Sequence, residues 1–229
     1  MKFEKGHIYH IYNQGNNRQT LFFNRGNYSF FLNKIKTFIF PYADIIAWCL
    51  MSNHFHLMVV VNDVEVELGN SHGVTQSDTV TITQTQIQPQ SDTVTITQTQ
   101  PQPQSNASTK HRSFNDSIGI MLRSYTRAIN KQENRTGKLF REQTKAECAN
   151  CHDGLFPSFI SSDGVTEINI TQSENQYPQR LFEYIHNNPV KANIVDRAID
   201  YEFSSAMDYA SLRNGDLINI DVASKYIDF

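Results

Sequence analysis

The sequence predicts an α+β fold, an antiparallel sheet covered by helices, and three observations predict it. Apolar runs of strand length alternate with segments of helical spacing in the order βαββ…αβ…α. Only Ser52 and Asn53 separate the second strand from the third, a hairpin-length connection that pairs the two antiparallel. The two stretches that interrupt this order are polar. Together they describe one domain, residues 1–229, with a sandwich core of ferredoxin-like (RRM-like) kind and two insertions, at about 70–110 and about 150–176.

Each element has its own warrant. "HIYHIYNQG" (7–15) is a strand with a Gly-ended turn. "YSFFLNKIKTFIF" (28–40) has helical spacing and stops at Pro41. "DIIAWCLM" (44–51) is a buried strand, and "HFHLMVVV" (54–61) is its hairpin partner. "SIGIMLRSYTRAINKQE" (117–133) is an amphipathic helix, "KLFREQTKAE" (138–147) a further strand, and "PQRLFEYIHNNP" (178–189) a helix ended near its second proline. The first insertion contains a tandem repeat, "QSDTVTITQTQIQP" from Gln76 and "QSDTVTITQTQPQP" from Gln90. Polar tracts with proline bury too little surface to offset their ordering entropy, so disorder is expected there, with a transient hairpin at "TVTIT" as the minority alternative. The second insertion repeats part of that wording in "GVTEINITQ".

Composition narrows the function classes. No apolar run approaches the ~20 residues that span a bilayer, and "MKFEKGHIYHIYN" has no uninterrupted apolar core of a signal peptide. Three cysteines, an odd number, suggest a reducing compartment without a disulfide framework, so a cytoplasmic protein without a membrane partner is expected. The net charge of −3 is unevenly spread. Residues 62–109 hold five acids and residues 148–177 hold four, with no Lys or Arg in either. Setting both aside removes nine of 23 acids and none of 20 bases, which leaves +6 on the part that carries the periodic patterns. A phosphate backbone is compatible with that balance.

The chemistry begins at "MSNHFHLMVVV" (51–61). On a strand, His54 and His56 leave the same face, close enough to share one ion, while Phe55 points into the opposite core. A lone strand histidine is usually structural; two on one face open metal or phosphate chemistry. Two imidazoles cannot complete a metal site, and "YIHNN" supplies what is missing. Tyr184 and Asn188 stand at i and i+4, one above the other on a helix, although Pro189 biases Asn188 away from helical geometry. A tyrosine hydroxyl can attack phosphorus, and with an unperturbed pKa of about 10 it needs a cation or base beside it. The amide oxygen of Asn188 is a hard ligand that would complement two imidazoles around Mg²⁺ or Mn²⁺.

These motifs resemble a known family. "HFH" at 54–56 is similar to the His-hydrophobic-His signature of HUH endonucleases, and "YIHNNPVKANIV" (184–195) resembles a stretch of the REP-associated tyrosine transposases, relatives of the single-tyrosine insertion-sequence transposases. "WCLMSNHFHLMV" (48–59), "NRTGKLFREQTKA" (134–146) and "DYEFSS" (200–205) follow in the order of that family. The resemblance spans roughly 7–61, 112–147 and 178–210 and leaves both insertions outside. It implies an HUH nuclease core that cuts and rejoins single-stranded, hairpin-forming DNA, as a monomer or homodimer. His54, His56 and Asn188 would hold the metal, and Tyr184 would form a 5′-phosphotyrosine. No nucleotide cofactor is then needed.

Rival readings stand beside these. Tyr125 lies on a helix with Arg123 and Arg127 but has Ile129 at i+4, so a packing or DNA-backbone role is expected for it. "CANCH" (148–152) has the spacing of haem attachment or half a zinc site, but neither an export signal nor a second Cys pair accompanies it. His7 and His10 read as ordinary strand residues, and His186 faces away from Tyr184 on a helix. Arg112, Arg123, Arg127, Arg135, Lys138 and Arg141 are, as a group, the expected phosphate contacts. The alternatives to a transposase are an inactive relic that still binds a DNA hairpin, and a metal-dependent hydrolase of small substrates. The second leaves Tyr184 and Asn188 unexplained.

Overall fold

The computed structural model of the chain describes residues 2–68, 110–151 and 177–229. The chain divides into a unit of residues 1–66 and 112–229 and a second unit of residues 67–111. The expected insertions, with the minority hairpin at "TVTIT", lie outside the described residues apart from Lys110, Asn150 and Cys151.

The larger unit is built on one four-stranded sheet. Its strands are β1 (Ile8–Gln14), β2 (Ala43–Met51), β3 (His54–Val61) and a late strand, β6 (Lys145–Cys148). Their order is β2-β3-β1-β6 and every pairing is antiparallel. A split βαβ followed by a returning edge strand is the ferredoxin-like arrangement expected above. Between these strands come β4 (Glu65–Leu68) and β5 (Lys110–Ser113), which pair as a two-stranded ribbon.

Two long helices start earlier than the apolar spacing suggests, and for the same reason. α1 (Arg25–Phe38) begins behind Asn24, whose side chain accepts from the Asn27 amide while the Asn27 side chain accepts from Asn24. α2 (Phe114–Gln132) begins behind Ser113, whose hydroxyl accepts from the Asp116 amide at 3.1 Å. Caps of this kind satisfy amide groups that the first turn leaves unpaired, so they set the boundary rather than the first apolar residue.

The expected helix over 178–189 is two helices. α3 (Tyr177–His186) ends, Asn187 adopts φ −83°, ψ 0°, and α4 (Asn188–Lys191) restarts with Pro189 in its first turn. Proline has no amide proton to continue the ladder of α3, but it is well placed at the start of a new helix. The expected strand over 138–147 shrinks to Lys145–Cys148. Residues 138–144 form a loop instead, anchored by Leu139 and Phe140 and by an isolated bridge between Phe140 and Gly15.

Strand alternation divides the core in two. On β1 and β3 the odd-numbered Tyr9, Ile11, Phe55, Leu57 and Val59 pack with Phe31 and Ile35 of α1 and with Met121 and Tyr125 of α2. The even-numbered Ile8, Met58 and Val60 pack with Leu181, Tyr184 and Ile185 of α3. A register shift between Ile45 and Ala47 of β2 turns both Ile46 and Ala47 toward the second face. The outer edge of β2 is covered by the "DYEFSS" segment: the Leu50 amide donates to the Phe203 carbonyl and the Ser205 amide to the Trp48 carbonyl.

No helix among the described residues is long and apolar enough to cross a membrane. Cys148 and Cys151 are bonded to each other, and Cys49 is free and buried. The expectation of no disulfide framework is corrected to that extent. The bond closes one turn of the chain and ties no two elements together.

Candidate metal and nucleophile site

The site forms on the α3 face of the sheet, over its two central strands. Gln14 of β1 stands opposite His54 of β3, and Tyr12 stands opposite His56. Directly opposed residues of an antiparallel pair share a face, so His10, Tyr12, His54 and His56 all project toward α3. The period-two reading of His54 and His56 therefore describes their placement, with ring centroids 5.0 Å apart, while Phe55 is fully buried in the opposite core.

Asn188 lies across both imidazoles. Its Oδ1 is 3.1 Å from His54 Nε2, and its Nδ2 is 3.3 Å from His56 Nε2. The far side of each ring is held as well, His54 Nδ1 at 2.7 Å from Asn53 Oδ1 and His56 Nδ1 at 2.9 Å from His10 Nε2. Such outer partners set which ring nitrogen faces a metal. Burial lowers the pKa of His54, partly offset by its bond to Asn188, and holds that of His56 well below the ordinary value, with His54 and His10 adding to the effect. Both rings are thus held neutral, the form in which an imidazole can take a metal.

These residues fit a hard divalent cation on an observation of their own. Asn188 presents Nδ2 to His56, and Asn53 presents Nδ2 to the Arg18 carbonyl at 3.4 Å, which turns both Oδ1 atoms toward His54. A neutral imidazole has one N–H, so it can donate to only one of those two oxygens. With the ring N–H given to Asn53, the His54 Nε2 lone pair and the Asn188 oxygen form a donor pair of the kind a hard divalent cation takes. Two ligands of Mg²⁺ at 2.0–2.1 Å and a right angle lie about 3 Å apart, and His54 Nε2 and Asn188 Oδ1 are 3.1 Å apart.

Tyr184 completes the group from α3. Its ring meets His56 edge-on at 5.5 Å and His10 at 6.2 Å between centroids. Asn188 bonds to the Tyr184 side chain, although the two stand on separate helices. The kink thus keeps the pair together without the continuous helix expected. Burial pushes the Tyr184 hydroxyl up, and the Asn188 bond pulls it back down. The Lys191 ammonium, from the end of α4, sits 5.2 Å from the centre of the Tyr184 ring.

Sequence reasoning missed several members. His10 is fully buried, stacks with Tyr12 and His56, and burial drops its pKa to about 3. Tyr12 stacks 5.9 Å from His56 and donates its hydroxyl to Glu147 Oε1 at 2.7 Å. Lys145 stands opposite Tyr12 and Glu147 opposite His10, so both lie on the site's face of β6. The even spacing of His10 and Tyr12 was the available signal, but it acquires meaning only through the pairing of β1 with β3. His186 is where the helical spacing puts it, turned from Tyr184 and 2.7 Å from Ser205 Oγ.

The basic group divides. The Arg141 amide donates to the Gln14 carbonyl and the Asn16 amide to the Leu139 carbonyl, so the loop with Lys138 and Arg141 runs beside the His54 end of β1. Arg135 donates to Gln19 Oε1, and Lys138 pairs with Glu142 at 3.3 Å. Arg123 and Arg127 are exposed on α2, with the sheet between them and the histidines. Arg112 is half-buried on β5, and its carbonyl accepts from the Tyr42 hydroxyl. Tyr125 is fully buried, with its hydroxyl donated to the Leu21 carbonyl at 2.9 Å.

No protein-family model matches the chain, and no curated protein matches it. Among solved structures, that of a REP-associated tyrosine transposase bound to a REP hairpin is similar to it. The two are 14% identical with a TM-score of 0.49, over 100% of this chain and 92% of the other. Likeness at that level says nothing of how this chain acts.

Proposed function

We propose that the protein is a metal-dependent, single-tyrosine DNA endonuclease and strand transferase that cuts and rejoins single-stranded, hairpin-forming DNA. One observation carries the reading: Tyr184, His54, His56 and Asn188, read from two distant motifs, meet in one place with the Asn188 amide across both imidazoles. His54 Nε2, His56 Nε2 and Asn188 Oδ1 would hold Mg²⁺ or Mn²⁺, which would supply Lewis-acid polarisation of the scissile phosphate. Tyr184 Oη attacks phosphorus as the bond to the 3′-oxygen breaks. The phenol proton is lost, the departing 3′-oxygen gains one, and the 5′ end stays on the enzyme as a phosphotyrosine. Attack by another strand's 3′-hydroxyl reverses these bonds and rejoins the DNA. Lys191 steadies the phenolate charge through its place over the ring. Lys145, Lys138 and Arg141 hold the DNA backbone on the site's side of the sheet.

The test is a labelled DNA hairpin with a single-stranded flank, incubated with protein and Mg²⁺ and resolved under denaturing conditions. The wild-type protein should give a covalent adduct, and Tyr184→Phe should give none while binding the hairpin within a few-fold. Tyr12→Phe is the control inside the site and should still react. Hairpin binding without any adduct in the wild type would leave the non-cutting binder as the correct reading. An adduct that survives in Tyr184→Phe would overturn the assignment of the nucleophile.

A further inference from the structure

Among the described residues, a second cluster of ligand side chains lies apart from the site above. The imidazole of His7, just before β1, meets the two sulfurs of the "CANC" turn at the end of β6. His7 Nδ1 is 3.6 Å from Cys151 Sγ and 4.0 Å from Cys148 Sγ. The half zinc site of the sequence thus gains a third ligand that the sequence does not place. The turn is held without help from its sulfurs: the Ala149 amide donates to the Ile8 carbonyl, and the Ile8 amide donates to Asn150 Oδ1, both at 2.8 Å. The far nitrogen of His7 faces a carboxylate, with Nε2 3.9 Å from Glu4 Oε2. A carboxylate behind a histidine is the usual outer support of a zinc ligand.

We propose that, once the bond between Cys148 and Cys151 is reduced, His7, Cys148 and Cys151 bind a zinc-class divalent cation where β6 leaves the sheet. Zinc–sulfur bonds of about 2.3 Å and zinc–nitrogen bonds of about 2.0–2.1 Å at tetrahedral angles set N and S about 3.6 Å apart. The His7 distance to Cys151 Sγ, 3.6 Å, already matches that value, and the one to Cys148 Sγ, 4.0 Å, lies just above it. The sulfurs need to separate to about 3.8 Å, and their Cα atoms, 5.7 Å apart, allow it by side-chain rotation alone. Two thiolates and an imidazole select a softer ion than the amide oxygen and imidazoles of the other site, so the two sites take different metals. The ion would fix β6 beside Glu147, whose carboxylate holds Tyr12 against His10 and His56.

The experiment uses the full chain. Dithiothreitol gives two electrons and two protons to the cysteine bond and closes into its own disulfide; binding then releases the two thiol protons. Co²⁺ is the probe, because thiolate ligands give it a charge-transfer absorption that imidazole and amide ligands do not. The reduced protein should show this band, saturating near one equivalent, and the oxidised protein should not. Cys148→Ser and Cys151→Ser should lose most of it, and His7→Ala should weaken Co²⁺ binding by roughly tenfold or more. Zn²⁺ should displace the Co²⁺. No band in the reduced wild type, or unchanged affinity in His7→Ala, would overturn the proposal. The DNA-adduct assay is independent of every one of these readings, so either proposal can fail without the other.

Discussion

At the scale of single residues, the site depends on imidazoles whose outer nitrogens are spoken for. His10 is the support that matters most, because it fixes the His56 ring from inside the sheet. His10→Ala should lower Mn²⁺ affinity in the adduct assay by about 10–100-fold without abolishing the reaction, the usual effect of removing an outer partner. Tyr125 makes the contrasting case. Burial, with a smaller contribution from Tyr28, raises its hydroxyl far above the ordinary 10.0. The folded protein keeps that proton where an unfolded tyrosine gives it up, so the unfolded state binds fewer protons and stability falls as pH rises above about 10. Tyr125→Phe should therefore show a shallower alkaline loss in urea unfolding. It should still be about 1 kcal/mol less stable at neutral pH, because the Leu21 carbonyl loses its donor. Residue chemistry was legible where it followed local periodicity: His54 and His56 share a face because strands alternate. His10, His7 and Lys191 were not, because each acquires its role from a partner far away in the chain or beyond a kink.

At the scale of elements, β3 shows how one strand serves two masters. Its even positions hold His54 and His56 at one end and the α3 core at the other, and its odd positions hold the core under α1 and α2. Phe55, between the two histidines in the chain but on the opposite face, contacts Phe31 and Phe140 with ring centroids 5.1 and 6.1 Å away. Phe55→Ala should cost about 3–5 kcal/mol in equilibrium urea unfolding through the cavity it leaves. On the proposed function, cleavage by the fraction still folded should proceed at a near-normal rate, since His54 and His56 sit on the opposite face. The antiparallel hairpin was legible from Ser52–Asn53 and the apolar run, whereas the register shift between Ile45 and Ala47 was not. The helix caps at Asn24 and Ser113 were written in the sequence too, but the first apolar residue is a louder signal than a cap. The loop over 138–144 could not be told from a strand, because its buried Leu139 and Phe140 mimic a short apolar run until Gly15 is seen beside them.

At the scale of the whole molecule, the core residues of the larger unit, among the described residues, come from outside the first insertion. Residues 74–106 lie outside the described residues, and replacing them with a short Gly/Ser linker should leave the melting temperature within a few degrees, because loop length alone carries a small entropic cost. A large fall in melting temperature, or insolubility, would show that the segment contributes structure. The strand order also has a consequence for how the protein is made. The two strands that carry His10, Tyr12, His54 and His56 are the first and third in chain order, and both are synthesised before the ribbon. Tyr184 follows roughly 120 residues later. At ~5–20 residues per second of synthesis, a nascent chain spends about 6–25 s with its histidine pair in hand and no tyrosine. Asn188 comes later still, so on the proposed function a half-made chain has neither the nucleophile nor the third metal ligand.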